Sequence, residues 1–226
     1  MEYMIKCSFC GGTYLVNSNE NNTRFCCETC GAINGVDDIV EEYAPKMNAM
    51  EEGKDEDVHF EYYLKAAKAG DVKAQFKIGV YYDKGNGVAK DYEKAVEWYT
   101  KAAEQGYAKA QYNLANSYYK GEGVKKEEEI AVEYYKKAAE QGHAKAQFKL
   151  GVCYDKGVGI ANDEEKAIEW YKKAAEQGHA KAQFNLGNSY YKGEGVPKDM
   201  EEAKKWYEKA AAQGHEKAKA KLEKQF

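Results

Sequence analysis

Four of the six cysteines occur as two pairs with the spacing of zinc ligands. Cys7-x2-Cys10 and Cys27-x2-Cys30 are separated by 16 residues. Two cysteines three positions apart on a tight turn can direct both thiolates at one ion, and a second pair completes a tetrahedron with Zn–S distances of about 2.3 Å. The spacing therefore predicts one zinc ion bound by Cys7, Cys10, Cys27 and Cys30.

The residues around these cysteines predict the small β-hairpin of a zinc ribbon, over residues 1–36. Residues 13–16 and 23–26 contain the aromatic and β-branched types that favour strands, and residues 17–22 supply the turn. Gly11 and Gly31 follow the two cysteine pairs, where a tight turn can need a positive φ. Cys26 stays an alternative to Cys27 as the ligand.

We expect this zinc to be structural. A segment of this length buries too little apolar surface to fold alone, so the metal supplies its stability. Four thiolates leave no open coordination position for catalysis. Nucleic-acid binding is the alternative role of such a ribbon, but Lys6 and Arg24 are its only basic residues before Lys46, a poor surface for phosphates.

Composition narrows the remaining function classes. The net charge is −4, with 34 basic against 38 acidic residues, which gives no general attraction to nucleic acid or to anionic membranes. No apolar run approaches the roughly 20 residues of a membrane span, and the first residues lack the features of a signal peptide. We therefore expect a cytoplasmic protein. Residues 37–54 are interpreted as an acidic connector.

From residue 55 onward the sequence repeats every 36 residues, which is typical of a solenoid of stacked helix pairs. We expect an all-α domain, an αα-superhelix, over residues 55–226, with a half unit, four full units and a closing half unit. The same place in successive copies is taken by a glycine: Gly70, Gly106, Gly142, Gly178 and Gly214.

Each unit is predicted to form two helices. The first carries apolar residues at i, i+4 and i+8, such as Ala74, Ile78 and Tyr82, and ends at a Gly-x-Gly turn. The second carries an apolar stripe around Trp98 and ends before Gly106. Its predicted N-caps are Asp91, Asp163 and Asp199, with Glu127 as the weaker member. A small residue in the middle of the first helix predicts close approach of its partner: Gly79, Ala115, Gly151 and Gly187.

The stretches AQYNLANSYYKGEGV and AVEYYKKAAEQG, with their copies over residues 57–226, resemble the Sel-one-like repeat (SLR) family, relatives of the tetratricopeptide repeats. The resemblance implies a right-handed superhelix with a concave face and a role as an adaptor or scaffold. One secreted, cysteine-rich branch of the family has paired cysteines in each unit and a link to penicillin binding. This chain has only Cys153 in its repeats, which argues against that branch.

The candidate partner-binding residues lie on the first helix of each unit, off its apolar stripe. Stacked units would align them on one face, expected to be the concave one, where amides and hydroxyls suit a peptide backbone. An ordinary polar surface left by duplication is the alternative. The candidates are Lys77, Tyr81, Asn113, Asn116, Ser117, Lys149, Asn185, Asn188 and Ser189.

Three histidines also recur every 36 residues, at His143, His179 and His215. Packed helices lie about 8–10 Å apart, so equivalent histidines cannot share one metal ion through bonds of about 2 Å. We expect them to be exposed turn residues. Because no nucleophile–base pair or phosphate loop is evident, no catalytic residue is proposed.

The sequence thus favours a non-enzymatic scaffold that binds a protein or peptide segment on its concave face and carries a structural zinc ribbon. Binding of nucleic acid through the ribbon is one alternative. A β-lactamase-like hydrolase of the cysteine-rich branch is the other.

Overall fold

The computed structural model describes residues 2–6, 13–17 and 55–226. The cysteines of the predicted zinc site, the predicted strand at 23–26 and the connector at 37–54 lie outside these residues. The chain divides into two compact units, Met1–Lys90 and Asp91–Phe226.

The first unit contains a two-stranded antiparallel sheet. Strands β1 (Glu2–Lys6) and β2 (Thr13–Asn17) pair so that Lys6 lies opposite Thr13. Residues 13–16, predicted as a strand, lie in β2. Their partner is β1, which the sequence analysis did not predict. The first cysteine pair is therefore in the segment that joins two paired strands.

Two helices of the first unit, α1 (Asp55–Lys68) and α2 (Val72–Lys84), pack on each other. Phe60 is buried between them, with its ring edge-on to Tyr82 at a centroid distance of 5.5 Å. Asp71 caps α2, since its carboxylate accepts a hydrogen bond from the backbone N–H of Ala74.

The second unit is built from eight helices, each of which contacts the next along the chain. Since the same pair of helices recurs at the 36-residue period, the predicted solenoid of helix pairs is confirmed. We name the first helix of each repeat an A helix and the second a B helix. The B helices are α3 (Tyr92–Glu104), α5 (Glu128–Glu140), α7 (Glu164–Glu176) and α9 (Met200–Ala212). The A helices are α4 (Ala108–Lys120), α6 (Ala144–Lys156), α8 (Ala180–Lys192) and α10 (Glu216–Gln225).

Equivalent residues of successive repeats fill the core. Leu114, Leu150 and Leu186 of the A helices are fully buried, each stabilising the fold by about 1.5–3 kcal/mol through removal of apolar surface from water. A Cβ added at Gly151 would lie 2.7 Å from the ring of Tyr171 in the following B helix. The close approach that the small residue predicted is therefore confirmed.

The predicted caps of the B helices are also confirmed. The carboxylate of Asp91 accepts a hydrogen bond from the backbone N–H of Lys94 at 3.0 Å, and Asp163 and Asp199 make equivalent bonds. Glu127, the weaker member, makes no such bond. Gly106 follows the end of α3 with φ of +87°.

A ladder of buried glutamines ties successive repeats together. Gln111 in α4 donates from Nε2 to the carbonyl oxygen of Ala103 at 3.2 Å, and its Oε1 accepts from Nε2 of Gln141 at 2.7 Å. One side chain thus joins the end of α3 to the end of α5. Gln147 and Gln183 repeat both bonds in the next two repeats.

We expect Gln147→Leu to destabilise the protein by about 1–3 kcal/mol, because the buried carbonyl group of Ala139 and the amide of Gln177 lose their partner. The measurement is urea denaturation followed by circular dichroism. Gln177→Leu, at an exposed residue, should cost less, and the double variant should cost less than the two single changes added together. Strict additivity would show that the two amides are not coupled.

Candidate functional site on the A helices

Neighbouring A helices are joined by contacts between aromatic rings and histidines. The ring of Tyr112 in α4 lies 4.8 Å from that of His143, which precedes α6. Phe148 and His179 repeat the contact at 4.7 Å, and Phe184 in α8 repeats it with the histidine before α10. The A helices therefore lie side by side, and their equivalent residues form rows. We name their outward surface the A-helix face, defined by Lys109, Asn113, Lys145, Lys149, Lys181, Asn185, Lys217 and Lys221.

The histidines are half-buried, so the expectation that they are exposed turn residues was wrong. Besides stacking, Nδ1 of His143 accepts a hydrogen bond from the backbone N–H of Ala146 at 3.2 Å, and His179 caps α8 in the same way. They are the N-caps of their helices. Among the described residues, no group of histidine, cysteine and acidic side chains could hold a metal ion.

Burial lowers the pKa of both capping histidines, and nearby lysines lower it further. For His143 these are Lys145 and Lys109, in that order. For His179 they are Lys181 and Lys145. The neutral imidazole is therefore the folded form at pH 7, which is the form that can accept the cap bond.

This shift makes stability depend on pH. The unfolded chain takes up protons on these histidines below about pH 6.5, whereas the folded chain resists protonation, so stability is full above that pH and falls below it. We expect the midpoint of thermal unfolding to drop between pH 7.5 and 5.5. His143→Asn/His179→Asn keeps a neutral cap and should reduce the drop; an undiminished drop would contradict this role. The cap carboxylates of Asp91 and Asp163, with lowered pKa values, titrate below this range.

Contacts or burial within the repeats take up four of the predicted partner-binding residues: Asn116, Ser117, Asn188 and Ser189. The side chain of Asn185 also hydrogen-bonds with that of Tyr171. The side-chain oxygens of Asn116 and Asn188 accept hydrogen bonds from the buried hydroxyls of Tyr135 and Tyr207, at 2.7 and 2.8 Å. Ser117 is only 8% exposed, so little of it can reach a partner. The hydroxyl of Ser189 donates to the carbonyl oxygen of Asn185 at 3.2 Å. Partner contact by these four residues stays a prediction.

Asn113, Lys149 and Asn185 occupy the same position in α4, α6 and α8 and are half-buried. Nζ of Lys149 lies 5.5 Å from the ring centroid of Tyr119 in the neighbouring A helix. Burial lowers the pKa of Lys149, and the surrounding lysines Lys120, Lys181 and Lys156 lower it further. These three candidates form one row on the A-helix face.

The two remaining candidates, Lys77 and Tyr81, belong to the first unit. Lys77 donates from Nζ to the hydroxyl of Tyr63 and lies 4.2 Å from the centroid of that ring. The ring of Tyr81 lies edge-on to that of Phe60 at 5.8 Å. Both side chains therefore take part in packing between α1 and α2.

A second row on the A-helix face, made of lysines, was not predicted from the sequence. It consists of the second residue of each A helix: Lys109, Lys145, Lys181 and Lys217, all exposed. A signal was present in the sequence, because a lysine follows the first residue of every A helix at the 36-residue period. Only the side-by-side placement of the A helices shows that these charges are neighbours.

The B helices present a different surface. Lys101, Lys173 and Lys209 lie over tryptophan rings three positions earlier, with Nζ about 4 Å from the centroids. Trp98 and Trp206 are each 8% exposed, whereas Trp170 is half-buried. Glutamates occupy the first turn of every B helix, where the helix dipole favours them.

The fold and the repeated contacts define a solenoid protein with a continuous face along its A helices. The Sel1 repeat model matches residues 60–71, 72–107, 108–143, 144–179 and 180–215. The chain belongs to the Sel1 repeat family, and the resemblance found in the sequence is confirmed.

Solved structures agree with this assignment. The SLR-fold protective antigen c5321 of uropathogenic Escherichia coli is 42% identical over 70% of this chain, with a TM-score of 0.69; the chain covers 34% of that protein. A Sel1 repeat protein of Oxalobacter formigenes is 36% identical over 81% of the chain and 72% of its own length, with a TM-score of 0.71. The immunity protein Pa5087 of Pseudomonas aeruginosa, 23% identical over 86% of the chain and 73% of its own, shares the fold, with a TM-score of 0.52. A search of curated proteins gave no match.

Sel1 repeat proteins are generally scaffolds for protein–protein interaction and typically not enzymes.

Cys153, a buried free thiol in α6, has a pKa that burial raises to about 11, so it is mostly protonated at neutral pH. None of the described helices is both long and apolar enough to cross a membrane.

Proposed function

We propose that this protein is a non-enzymatic adaptor that binds a segment of a partner protein along its A-helix face. The observation that carries the proposal is the row of Asn113, Lys149 and Asn185 on helices held side by side by the ring contacts to His143 and His179. Asparagine amides both donate and accept hydrogen bonds, which suits the backbone of an extended chain. Repetition of the row would let one partner segment contact several repeats.

The test is affinity capture from the lysate of the source organism, followed by binding measurements with the purified partner. We expect Asn113→Ala/Asn185→Ala to weaken partner binding by about tenfold, as loss of two hydrogen bonds would. Lys136→Ala/Lys172→Ala is the matched control, because these exposed residues are also 36 positions apart but lie on the B helices. Equal binding by wild type and the asparagine variant would contradict the proposal.

The N-terminal segment is proposed to be a structural zinc ribbon. Its support is the spacing of Cys7-x2-Cys10 and Cys27-x2-Cys30, together with the pairing of β1 and β2 on either side of the first cysteine pair. Nucleic-acid binding by this ribbon stays a prediction, to be tested by retention on DNA or RNA at low salt with and without residues 1–36. The cytoplasmic location also stays a prediction.

A further inference from the structure

The A and B helices of the second unit differ in charge. Helices α4 and α8 each carry two lysines and no acidic residue. Helix α6 carries three lysines and one aspartate, and α10 carries four lysines and two glutamates. Each B helix has at least as many glutamates as lysines. A chain with a net charge of −4 thus concentrates positive charge along its A helices.

The lysines at the second position of the A helices are not neutralised locally. Lys109, Lys145, Lys181 and Lys217 form no ion pair with any residue in the described part of the chain. Lysines elsewhere do: Lys166 pairs with Asp163 at 2.7 Å, and Lys192 with Glu194 at 3.1 Å. The row therefore leaves its charges available to a ligand.

Neighbouring lysines of the row act on the same histidine. Lys145 and Lys109 both lower the pKa of His143, after burial, and Lys181 and Lys217 do the same for His215. A lysine in the first turn also opposes the helix dipole, which favours negative charge there. Recurrence of a locally unfavourable residue in every A helix is expected where function requires it.

We propose that the A-helix face binds an extended, acidic peptide whose carboxylates meet the row of Lys109, Lys145, Lys181 and Lys217. This inference rests on the proposed function and names the chemical class of the partner segment. Packed helices lie about 8–10 Å apart. An extended chain in the polyproline II conformation advances about 3.1 Å per residue with three residues per turn, so every third side chain lies on the same side. One carboxylate at about every third residue therefore matches one lysine per repeat.

A peptide fits this face better than a nucleic acid does. Three aromatic side chains that could stack on bases already contact histidine rings: Phe148 and Phe184 are stacked on theirs, and Tyr112 meets His143 at a tilt. The whole chain contains one arginine, Arg24, although arginine is the side chain that binds phosphate with two parallel hydrogen bonds. The acidic B helices would also repel a long polyanion.

The test uses the full chain and a fluorescein-labelled peptide of about 15 residues, with glutamate at every third position, the period of a polyproline II chain, and glycine and serine between. Binding is followed by fluorescence anisotropy. We expect Lys145→Glu/Lys181→Glu to raise Kd by at least about tenfold. Lys136→Glu/Lys172→Glu on the B helices makes the same change in net charge at the same spacing and should change Kd by less than about threefold. Circular dichroism checks that both variants are folded.

Three outcomes would overturn the proposal: no binding of the glutamate peptide, equal weakening by both lysine pairs, or equally tight binding of a glutamine version. Tighter binding of a single-stranded RNA of similar length, lost in Lys145→Glu/Lys181→Glu, would make the ligand a nucleic acid instead. If Asn113→Ala/Asn185→Ala still abolishes capture of a partner while the peptide result is negative, the adaptor function stands and only the acidic class is wrong.

Discussion

Gly123→Ala is expected to destabilise the protein by about 2–5 kcal/mol. Gly123 lies in the turn after α4 with φ of +74°, a conformation that costs a residue with a Cβ about 1–2 kcal/mol. The added Cβ would also overlap the carbonyl group of Tyr92 and approach the backbone nitrogen of Glu93 to 2.8 Å. Backbone atoms at the start of α3 cannot rotate away as a side chain can, so the packing between repeats would have to change.

Gly142→Ala is the matched control for this prediction. Gly142 has a similar φ of +85°, but an added Cβ would meet nothing within 4 Å. Its substitution should therefore cost only the conformational term of about 1–2 kcal/mol. Urea denaturation of both variants measures the difference. Equal costs for Gly123→Ala and Gly142→Ala would show that repeats do not approach as closely at this turn as the structure indicates.

Removal of the predicted zinc site should have the second large effect. We expect about one zinc ion per chain, held by four thiolates, and none in Cys7→Ser/Cys30→Ser. Apparent binding free energies of structural zinc are about 10–16 kcal/mol, so loss of the ion should unfold the ribbon. Zinc content is measured by elemental analysis of the purified protein, and the helical circular dichroism signal should persist.

The other cysteines provide the controls for the zinc prediction. Cys153→Ser changes a thiol buried in α6 and should leave zinc content unchanged. Single variants distinguish the two candidate ligands. If Cys26→Ser retains zinc and Cys27→Ser loses it, Cys27 is the ligand. Unchanged zinc content in Cys7→Ser/Cys30→Ser would contradict the predicted site.

The solenoid could be predicted from the sequence because its signals are local and repeated. The 36-residue period, the aspartate caps such as Asp91 and the glycine after each B helix act within one or two turns of helix. Each recurs, so an accidental match in one repeat is corrected by the others. The close helix packing at Gly151 could be predicted for the same reason, because the residue at this position is small in every copy.

Contacts between repeats could not be predicted in this way. His143 was expected to be exposed because a polar residue in a turn usually is. In the fold the ring of Tyr112, 31 residues earlier in the chain, packs against it. The bond between Gln111 and Gln141 also joins distant residues. Strand β1 was not predicted either, because its partner β2 lies on the other side of the first cysteine pair in the sequence.

The candidate site stays a prediction, although the positions of its residues follow from the sequence. The 36-residue period puts Asn113, Lys149 and Asn185 at equivalent positions of successive A helices, where they are half-buried. Spacing could not show that the oxygen of Asn116 is bound by Tyr135, since that tyrosine lies in the next helix. The lysines at the second helical positions form a row only because the A helices of successive repeats lie side by side.

Photo-crosslinking of the captured partner from defined positions shows which face of the solenoid it contacts. A photoreactive phenylalanine derivative is introduced at residue 113 or 185 on the A-helix face, or at residue 172 on a B helix as the control. We expect crosslinks to one partner segment from residues 113 and 185 and none from residue 172. Crosslinks from 172 alone would place the partner on the B helices and contradict the proposed binding face.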